Sequence, residues 1–386
     1  MNVVFVYIDF IFFLLLAFSV CYLLIFALAS LLRSNVKYPE SGRLYKILVL
    51  FPAYKEDSVI VNSVETFLNQ EYPATHYDVV VISDRMTKET NDKLRLLPVK
   101  VMEINFEDSS KARALNYAID NIGDSVYDIV IIMDADNTTE ADFLVQICKA
   151  YDSGARAIQA HRVAKNLNTD TAILDAVSEE INNSIFRRGH VNLGLSSALI
   201  GSGVAFDFKW FKENVKKVST AGEDKELEIL LLKQRIFIEY MEEVKVFDEK
   251  TQKDAVFYRQ RRRWQATQFD TLKMVLKDLP GAIFSSNISF ADKIVQWMLL
   301  PRVILLGLTG IIAIFISFVS ITYAVKWWIL LFLLIFTLAL SIPDYLVNRR
   351  FISAIKKVPV LFGMMVLNLF KIRNAGRKFI HTEKNF

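Results

Sequence analysis

YDIVIIMDAD, residues 127–136, is the stretch that decides the fold, because an apolar run ends there in two carboxylates separated by one residue. Consecutive Val, Ile and Met side chains are typical of a strand that is covered on both faces of a sheet. Open parallel sheets bind ligands at the carboxyl ends of their strands, and Asp134 and Asp136 follow this strand directly. We therefore expect a buried central strand that delivers two carboxylates to a crevice.

Similar apolar runs precede this strand and alternate with amphipathic stretches. Strands are predicted over KILVLFPA (Lys46–Ala53), YDVVVISD (Tyr77–Asp84) and VKVMEIN (Val99–Asn105), and helices near Ser58–Asn69 and Ser109–Asp120. This alternation predicts βαβ units and a mainly parallel sheet, so the expected fold class is α/β. The sequence contains neither G-x-G-x-x-G nor a P-loop motif, which removes the main support for a dinucleotide-binding protein or an NTPase.

Carboxylates end three of the predicted strands, namely Glu56, Asp84 and the acidic pair Asp134 and Asp136. Because the carboxyl ends of parallel strands meet at one edge of a sheet, these side chains should converge on one crevice. Carboxylate oxygens suit Mg²⁺ or Mn²⁺ and leave coordination positions open for a diphosphate. The alternative interpretation is that the end of this run only caps a helix over Thr139–Ala150.

The composition indicates a water-soluble domain joined to a few lipid-embedded segments. Hydrophobic residues make up 53% of the chain and the mean hydropathy is +0.29, whereas the charged share of 23% is ordinary for a soluble protein. Uncharged runs over Phe10–Leu32, Val303–Val325 and Trp327–Pro343 predict three spanning helices, the last two joined as a hairpin by a tiny loop at Lys326. The 13-residue run Val358–Phe370 is too short to span and is expected at the interface.

Basic residues at the ends of these segments indicate their orientation. They follow the first span, precede the second and follow the third: Arg33, Lys37, Arg43, Lys46, Arg302, Arg349, Arg350, Lys356 and Lys357. We expect a multi-pass integral protein of the plasma (bacterial inner) membrane, with a cytoplasmic domain between the first and second spans. A cleaved signal peptide is the alternative for the first span, but it needs a basic start. Asp9 is expected to be an interfacial carboxylate just before the first span, with a buried polar partner as the alternative.

Charge and cysteine content exclude several protein classes. The net charge of +4 is too small to indicate nucleic-acid binding. Cys21 and Cys148 form no C-x-x-C pattern, and the chain has four histidines, which argues against a disulfide framework or a structural zinc site.

Further motifs accompany the acidic pair in a recognisable order. They are FPAYKED, VISD and SSKARALN before it, and GSGVAF, AGEDKELE and QRRRW after it. This order resembles the membrane-bound inverting family 2 glycosyltransferases with a GT-A fold, in particular the processive branch of cellulose, chitin and hyaluronan synthases. The resemblance covers about Lys46–Gln268, with a weaker match of Phe379–Lys384 to the F-x-V-T-x-K gating segment of cellulose synthases.

The resemblance implies a role for each matched residue. Nucleotide-sugar binding is implied for Pro52, Glu56, Asp84, Lys111, Asp134 and Arg263. Metal binding, of Mg²⁺ or Mn²⁺, is implied for Asp136 and Asp134. Acceptor binding is implied for Gln260, Trp264 and Gly203. The T-E-D motif, with Gly222 in place of Thr, implies that Asp224 is the general base beside Glu223.

Two of these assignments have simpler alternatives. Asp224 could be only a helix N-terminal charge. The QRRRW segment could be an interfacial basic helix whose sole role is to bind anionic lipid through Arg259, Arg261 and Arg262.

The expected function is transfer of a sugar from a UDP-sugar to a growing polysaccharide or oligosaccharide at the cytoplasmic membrane face. Single addition to a lipid-linked acceptor is the alternative, and a non-catalytic membrane scaffold is the alternative from another class. Three spans are fewer than exporting synthases have, so an oligomer or a separate export partner would complete an export path. The expected domains are as follows: a spanning helix at 1–33, the GT-A domain at 34–250, interfacial helices with Q-x-x-R-W at 251–302, the hairpin at 303–348, and an interfacial helix with the tail at 349–386.

Overall fold

One mixed sheet organises the chain. The computed structural model describes residues 3–32, 37–123, 126–220 and 222–370, so Arg33 and the gating-like tail Phe379–Lys384 lie outside the described residues. The strands within these ranges are β1 Ile47–Tyr54, β2 Tyr77–Asp84, β3 Lys100–Ile104, β4 Ile129–Ile132, β5 Thr138–Thr139, β6 Ala157–Ala164, β7 Val204–Asp207 and β8 Ile238–Asp248. The α/β fold class is confirmed, and every strand predicted from the sequence is present.

The order of the strands across the sheet is β3-β2-β1-β4-β7-β6-β8-β5. The predicted strands β1 to β4 pair in parallel, with Ile47 opposite Tyr77 and Tyr54 opposite Asp84. β7 is antiparallel to both β4 and β6 and therefore joins this half to a second half in which β6 and β8 are parallel. The parallel half ends its strands at one edge, as expected from the sequence.

Helices cover both faces of the sheet. Their bounds are α1 Val3–Ser30, α2 Ile60–Phe67, α3 Lys88–Arg95, α4 Lys111–Asn121, α5 Phe143–Asp152, α6 Asp170–Asn182, α7 His190–Asn192, α8 Phe208–Asn214, α9 Glu223–Lys233, α10 Asp254–Val275, α11 Leu279–Phe284, α12 Ile288–Met298, α13 Arg302–Val319, α14 Ile321–Leu340, α15 Arg349–Ile355 and α16 Val358–Phe370, with a π-helix at Asn183–Gly189. Alternate residues of β1 pack into two different hydrophobic cores. Leu48 and Leu50 pack with α4 and α9, whereas Val49 and Phe51 pack with α2 and α5. Burial on both faces explains why the strand sequences are continuously apolar.

Three described helices are long and apolar enough to cross a membrane, namely α1, α13 and α14, and the bent pair α15 and α16, at 43°, would be a fourth if it were one span. α13 and α14 pack against each other as a helical hairpin, but the loop predicted at Lys326 is wrong. The break lies at Ser320, whose extended backbone (φ −163°) ends α13. Lys326 lies inside α14.

The expectation for Asp9 is also wrong, and the alternative of a buried polar partner is correct. Asp9 lies within α1 and is only 6% exposed. Its carboxylate accepts from Lys326 Nζ at 2.5 Å and from Trp327 Nε1 at 2.7 Å. A buried carboxylate requires such donors, so this contact fixes α1 against α14.

The helices α10 to α12 carry the Q-x-x-R-W motif back to the sheet. α12 packs on α9 through Lys293 and Glu228, whose side chains form a buried ion pair at 2.9 Å. α10 packs in turn against α12, so the motif is held beside the first turn of α9.

Candidate active site

A cavity of about 1530 Å³ opens at the carboxyl ends of β1, β2 and β4. Residues of α9 and α10 form further parts of its wall. All but one of the site residues predicted from the sequence line it: Pro52, Glu56, Asp84, Lys111, Asp134, Asp136, Glu223, Asp224, Gln260, Arg263 and Trp264. The structure therefore brings together residues that are up to 212 positions apart in the chain, from Pro52 to Trp264.

Gly203, predicted to contact the acceptor, is the exception. Its φ is +62°, and a Cβ atom would lie 2.8 Å from Val246 Cγ2. Its N–H donates to the Ile132 carbonyl (2.9 Å) and its carbonyl accepts from the Ala160 N–H (2.8 Å). Packing between strands explains this glycine, and the neighbouring Gly201 lines the cavity in its place.

The acidic pair occupies the turn after β4. Asp134 has a third of its side chain exposed, whereas Asp136 is only 2% exposed and accepts from the Glu249 N–H at 3.0 Å. The capping alternative is wrong, because residues 138–139 form β5 and the next helix begins at Phe143.

The donor chemistry of the acidic pair suits a hard divalent cation, although no three His, Cys, Asp or Glu side chains in the described ranges are grouped to hold a metal alone. Two carboxylates on a cavity wall would need further oxygens, and a diphosphate supplies them. This arrangement fits a metal that binds together with a nucleotide diphosphate.

Lys111 links the acidic pair to the first turn of α9. Its Nζ lies 2.5 Å from Asp134 Oδ1, 2.6 Å from the Gly201 carbonyl and 3.9 Å from Glu223 Oε1. Burial lowers the pKa of the Lys111 ammonium, but the charges of Asp134 and Glu223 outweigh burial and raise it overall. Lys111 therefore stays protonated between the two carboxylates.

Burial raises the pKa of Glu223 to about 7. The Lys111 charge opposes this rise and the neighbouring Asp224 carboxylate adds to it. Glu223 therefore exchanges its proton near neutral pH, a property common among groups in functional sites.

Asp224 is the second residue of α9, and its Oδ1 accepts from the Lys225 N–H at 2.9 Å. Glu226, not Asp224, ties the start of α9 to the segment before it, because its carboxylate accepts from the N–H groups of residues 219 and 220. The departure at Gly222 has a steric reason, since a Cβ there would lie 2.4 Å from Thr267 Cγ2. The absence of a side chain lets α10 approach the acidic turn closely.

α10 presents Gln260, Arg263 and Trp264 to the cavity. Burial lowers the pKa of Arg263, and the carboxylates of Glu223, Asp224 and Asp134 oppose this effect. Arg261 lines the same cavity and pairs with Asp175 at 2.8 Å, so it does not serve only to dock α10 on the bilayer surface. No sequence pattern indicated Asp175, because its partner is 86 residues away.

Asp84 ends β2 and is 3% exposed. Burial raises its pKa. Its buried Oδ1 has no hydrogen-bond partner among the described residues, so this oxygen can accept from a ligand.

The mixed sheet and the acidic turn at its edge have the arrangement of a GT-A fold. Residues 45–267, more than half of the chain, match the family described as "Glycosyltransferase like family 2". The chain belongs to this family, as its motifs suggested.

Similar proteins agree with this assignment. A probable glycosyltransferase, YdaM of Bacillus subtilis, is 28% identical over 116 residues, which cover 28% of this chain and 27% of that protein. A dolichyl N-acetyl-alpha-D-glucosaminyl phosphate 3-beta-D-2,3-diacetamido-2,3-dideoxy-beta-D-glucuronosyltransferase of Methanococcus voltae is 24% identical over 205 residues, covering 49% of this chain and 62% of that protein. The chain thus spans less than two thirds of either relative.

Among solved structures, the mannosyltransferase PcManGT of Pyrobaculum calidifontis, in complex with GDP-Man and Mn²⁺, is similar with a TM-score of 0.53 and 13% identity. The match covers 84% of this chain and 96% of that one. At this identity the likeness establishes the fold.

Proposed function

We propose that this chain is an inverting glycosyltransferase that transfers a sugar from a UDP-sugar to a saccharide acceptor at the cytoplasmic face of the plasma (bacterial inner) membrane. The observation that carries the proposal is the single cavity that holds the acidic pair, the Glu223-Asp224 turn and the Q-x-x-R-W residues. An inverting transfer requires a base for the acceptor and cations for the leaving diphosphate, and both are present on this wall.

The donor would lie at the carboxyl ends of β1, β2 and β4. Asp84 offers an unpartnered buried oxygen to the nucleoside, with Pro52 and Glu56 beside it on the same wall. Asp134 and Asp136 would hold Mg²⁺ or Mn²⁺, which supplies Lewis-acid stabilisation of the diphosphate when bound. The presence of Mn²⁺ and GDP-Man in the PcManGT structure supports metal use in this fold.

The reaction itself needs one proton transfer and one displacement. Asp224 accepts the proton of the acceptor hydroxyl as its oxygen attacks the anomeric carbon. The bond from that carbon to the diphosphate breaks on the opposite face, and its electron pair leaves with the nucleotide. Arg263 and Lys111 stabilise the negative charge that develops there, as their positions on the wall allow.

The acceptor would enter past α10, where Gln260 and Trp264 line the cavity. A growing saccharide is one candidate acceptor, because sugar rings can stack on an aromatic ring such as that of Trp264. A lipid-linked saccharide is the second, favoured by an apolar part of the same cavity that is lined by α13 and α14 residues such as Leu306, Ile335 and Leu338. With a growing polymer, an oligomer or a separate partner would have to provide export.

The orientation of the protein follows from its basic residues. Lys37, Arg43 and Lys46 follow α1, and Arg349 and Arg350 follow α14, so these ends would face the cytoplasm. The sheet domain between α1 and α13 would then lie in the compartment that contains nucleotide sugars.

Transfer assays with a base variant test the proposal. Detergent-purified protein is incubated with a panel of UDP-sugars, Mn²⁺ and a membrane lipid extract, and products are sized by mass spectrometry. Asp224→Asn should reduce transfer by about 10² to 10⁴ while the Kd for the donor stays near its wild-type value. An unchanged transfer rate with weakened donor binding would place Asp224 in the donor site and refute its role as base.

A further inference from the structure

Arg302, the first residue of α13, lines the same cavity but has no part in the proposed transfer. Its Nη2 donates to the Ser178 carbonyl (3.1 Å) and to Ser178 Oγ (3.2 Å). Its Nη1 is buried and has no hydrogen-bond partner, and no carboxylate of the described residues lies within 4.0 Å of its guanidinium. A buried guanidinium held only by neutral oxygens lacks the anion that normally accompanies it.

A second guanidinium meets Arg302 at the same hydroxyl. Arg261 Nη1 donates to Ser178 Oγ at 3.1 Å, while its Nη2 pairs with Asp175 at 2.8 Å. Arg261 Nε is also buried without a partner. Two like charges therefore converge on one serine, and an anion between them would relieve their repulsion.

The surrounding wall has more positive than negative charge. Five cationic side chains there share three carboxylates, those of Glu179 and Asp248 on the wall and that of Asp175, which pairs with Arg261. The cations are Arg162, Arg187, Lys250, Arg261 and Arg302. Arg187 pairs with Glu179 at 2.9 Å, and Arg162 and Lys250 both pair with Asp248. Arg302 remains without a carboxylate, so one of the two excess positive charges lies where α13 begins.

Apolar side chains line the part of the cavity beside this charge. They come from α6, α13, the last part of α14 and the turn that follows it: Leu174, Val177, Leu306, Ile335, Leu338 and Ile342. Because α13 and α14 are candidate spanning helices, this apolar wall lies at the level where a lipid chain could enter. The ligand that fits is an anion attached to an apolar chain.

We propose that Arg302 and Arg261 bind the phosphate of a lipid phosphate or diphosphate, the head of a lipid-linked acceptor whose chain lies against this apolar wall. Guanidinium groups suit phosphate because their forked donors bind two of its oxygens at once. The inference rests on the proposed function, since it assigns a class to the acceptor that would meet Trp264 and Asp224.

Binding of three probes tests the site without any donor sugar. The probes are dodecyl phosphate, dodecanol and inorganic phosphate, titrated against protein in one fixed detergent so that partitioning into micelles is the same for every variant. The wild-type protein should bind dodecyl phosphate much more tightly than either other probe. Arg302→Met should weaken that binding about 10- to 100-fold. Arg302→Lys keeps the charge but loses the forked donors, so its affinity should lie between those of the wild type and Arg302→Met.

Arg349→Met is the matched control, because Arg349 is exposed, lies outside the cavity and follows a candidate spanning helix as a basic interfacial residue. It should bind dodecyl phosphate like the wild type. Equal binding by Arg302→Met and wild type, or equal loss in Arg349→Met, would overturn the site. Equal affinity of the wild type for inorganic phosphate would overturn its assignment to a lipid. Wild-type protein that binds dodecyl phosphate but transfers no sugar would instead count against the proposed function alone.

Discussion

Replacing Glu223 by Gln should abolish a large part of the pH dependence of stability. Glu223 has an ordinary pKa of 4.5 and a folded pKa of about 7, because burial disfavours its charge. The folded state therefore binds the proton of Glu223 more tightly than the unfolded state does. The stabilisation that this proton provides is fully present below pH 4.5 and is lost as the pH rises through 7. At about 1.36 kcal/mol for each pKa unit, the loss by pH 8 is about 3 kcal/mol.

The assay is thermal unfolding in detergent between pH 4.5 and 8.5. The wild-type melting temperature should fall by several degrees through this range, since a few kcal/mol moves the midpoint by that much in a chain of this size. Glu223→Gln should flatten the curve and exceed the wild type above pH 7. Glu213→Gln, at an exposed position on α8, is the control and should follow the wild type. Parallel curves for wild type and Glu223→Gln would refute the link between burial and proton affinity.

Two further predictions concern contacts that the structure shows. Lys326→Met should lower the melting temperature by more than Asp9→Asn does, because it leaves the buried Asp9 carboxylate without its ammonium, whereas the Lys326 ammonium is partly exposed; equal effects measured by thermal unfolding would contradict this. Gly222→Thr restores the residue usual in the family motif but should reduce sugar transfer, because its Cβ would meet Thr267. Adding Thr267→Ala to the same chain should recover transfer. A Gly222→Thr variant with full transfer activity would contradict the steric argument.

Local patterns were enough to predict the parallel half of the sheet. β2 runs from Tyr77 to Asp84, as its apolar run indicated. The strands β6 and β8 were not predicted, because polar residues such as His161 and Glu243 interrupt their apolar pattern. Four-residue β7 is too short to show a period at all.

Contacts between distant residues account for the other differences. A charge was taken to mark the loop between α13 and α14, but Lys326 is neutralised inside a helix by a carboxylate 317 positions earlier. The motif residues of the site could be predicted, because each motif is local and its strand delivers it to one edge of the sheet. The role of Arg302 could not, because Ser178 reaches it, and Asp175 reaches Arg261, only through the packing of α6.

The central claim is that the cavity binds a nucleotide sugar through the acidic pair and transfers the sugar. The most direct measurement is release of UDP from a panel of UDP-sugars by purified protein, with and without Mn²⁺ or Mg²⁺, for wild type, Asp136→Asn and the exposed control Asp92→Asn. The account predicts metal-dependent release by wild type and Asp92→Asn, with nearly complete loss in Asp136→Asn. Full release by Asp136→Asn, or by wild type in excess EDTA, would contradict it.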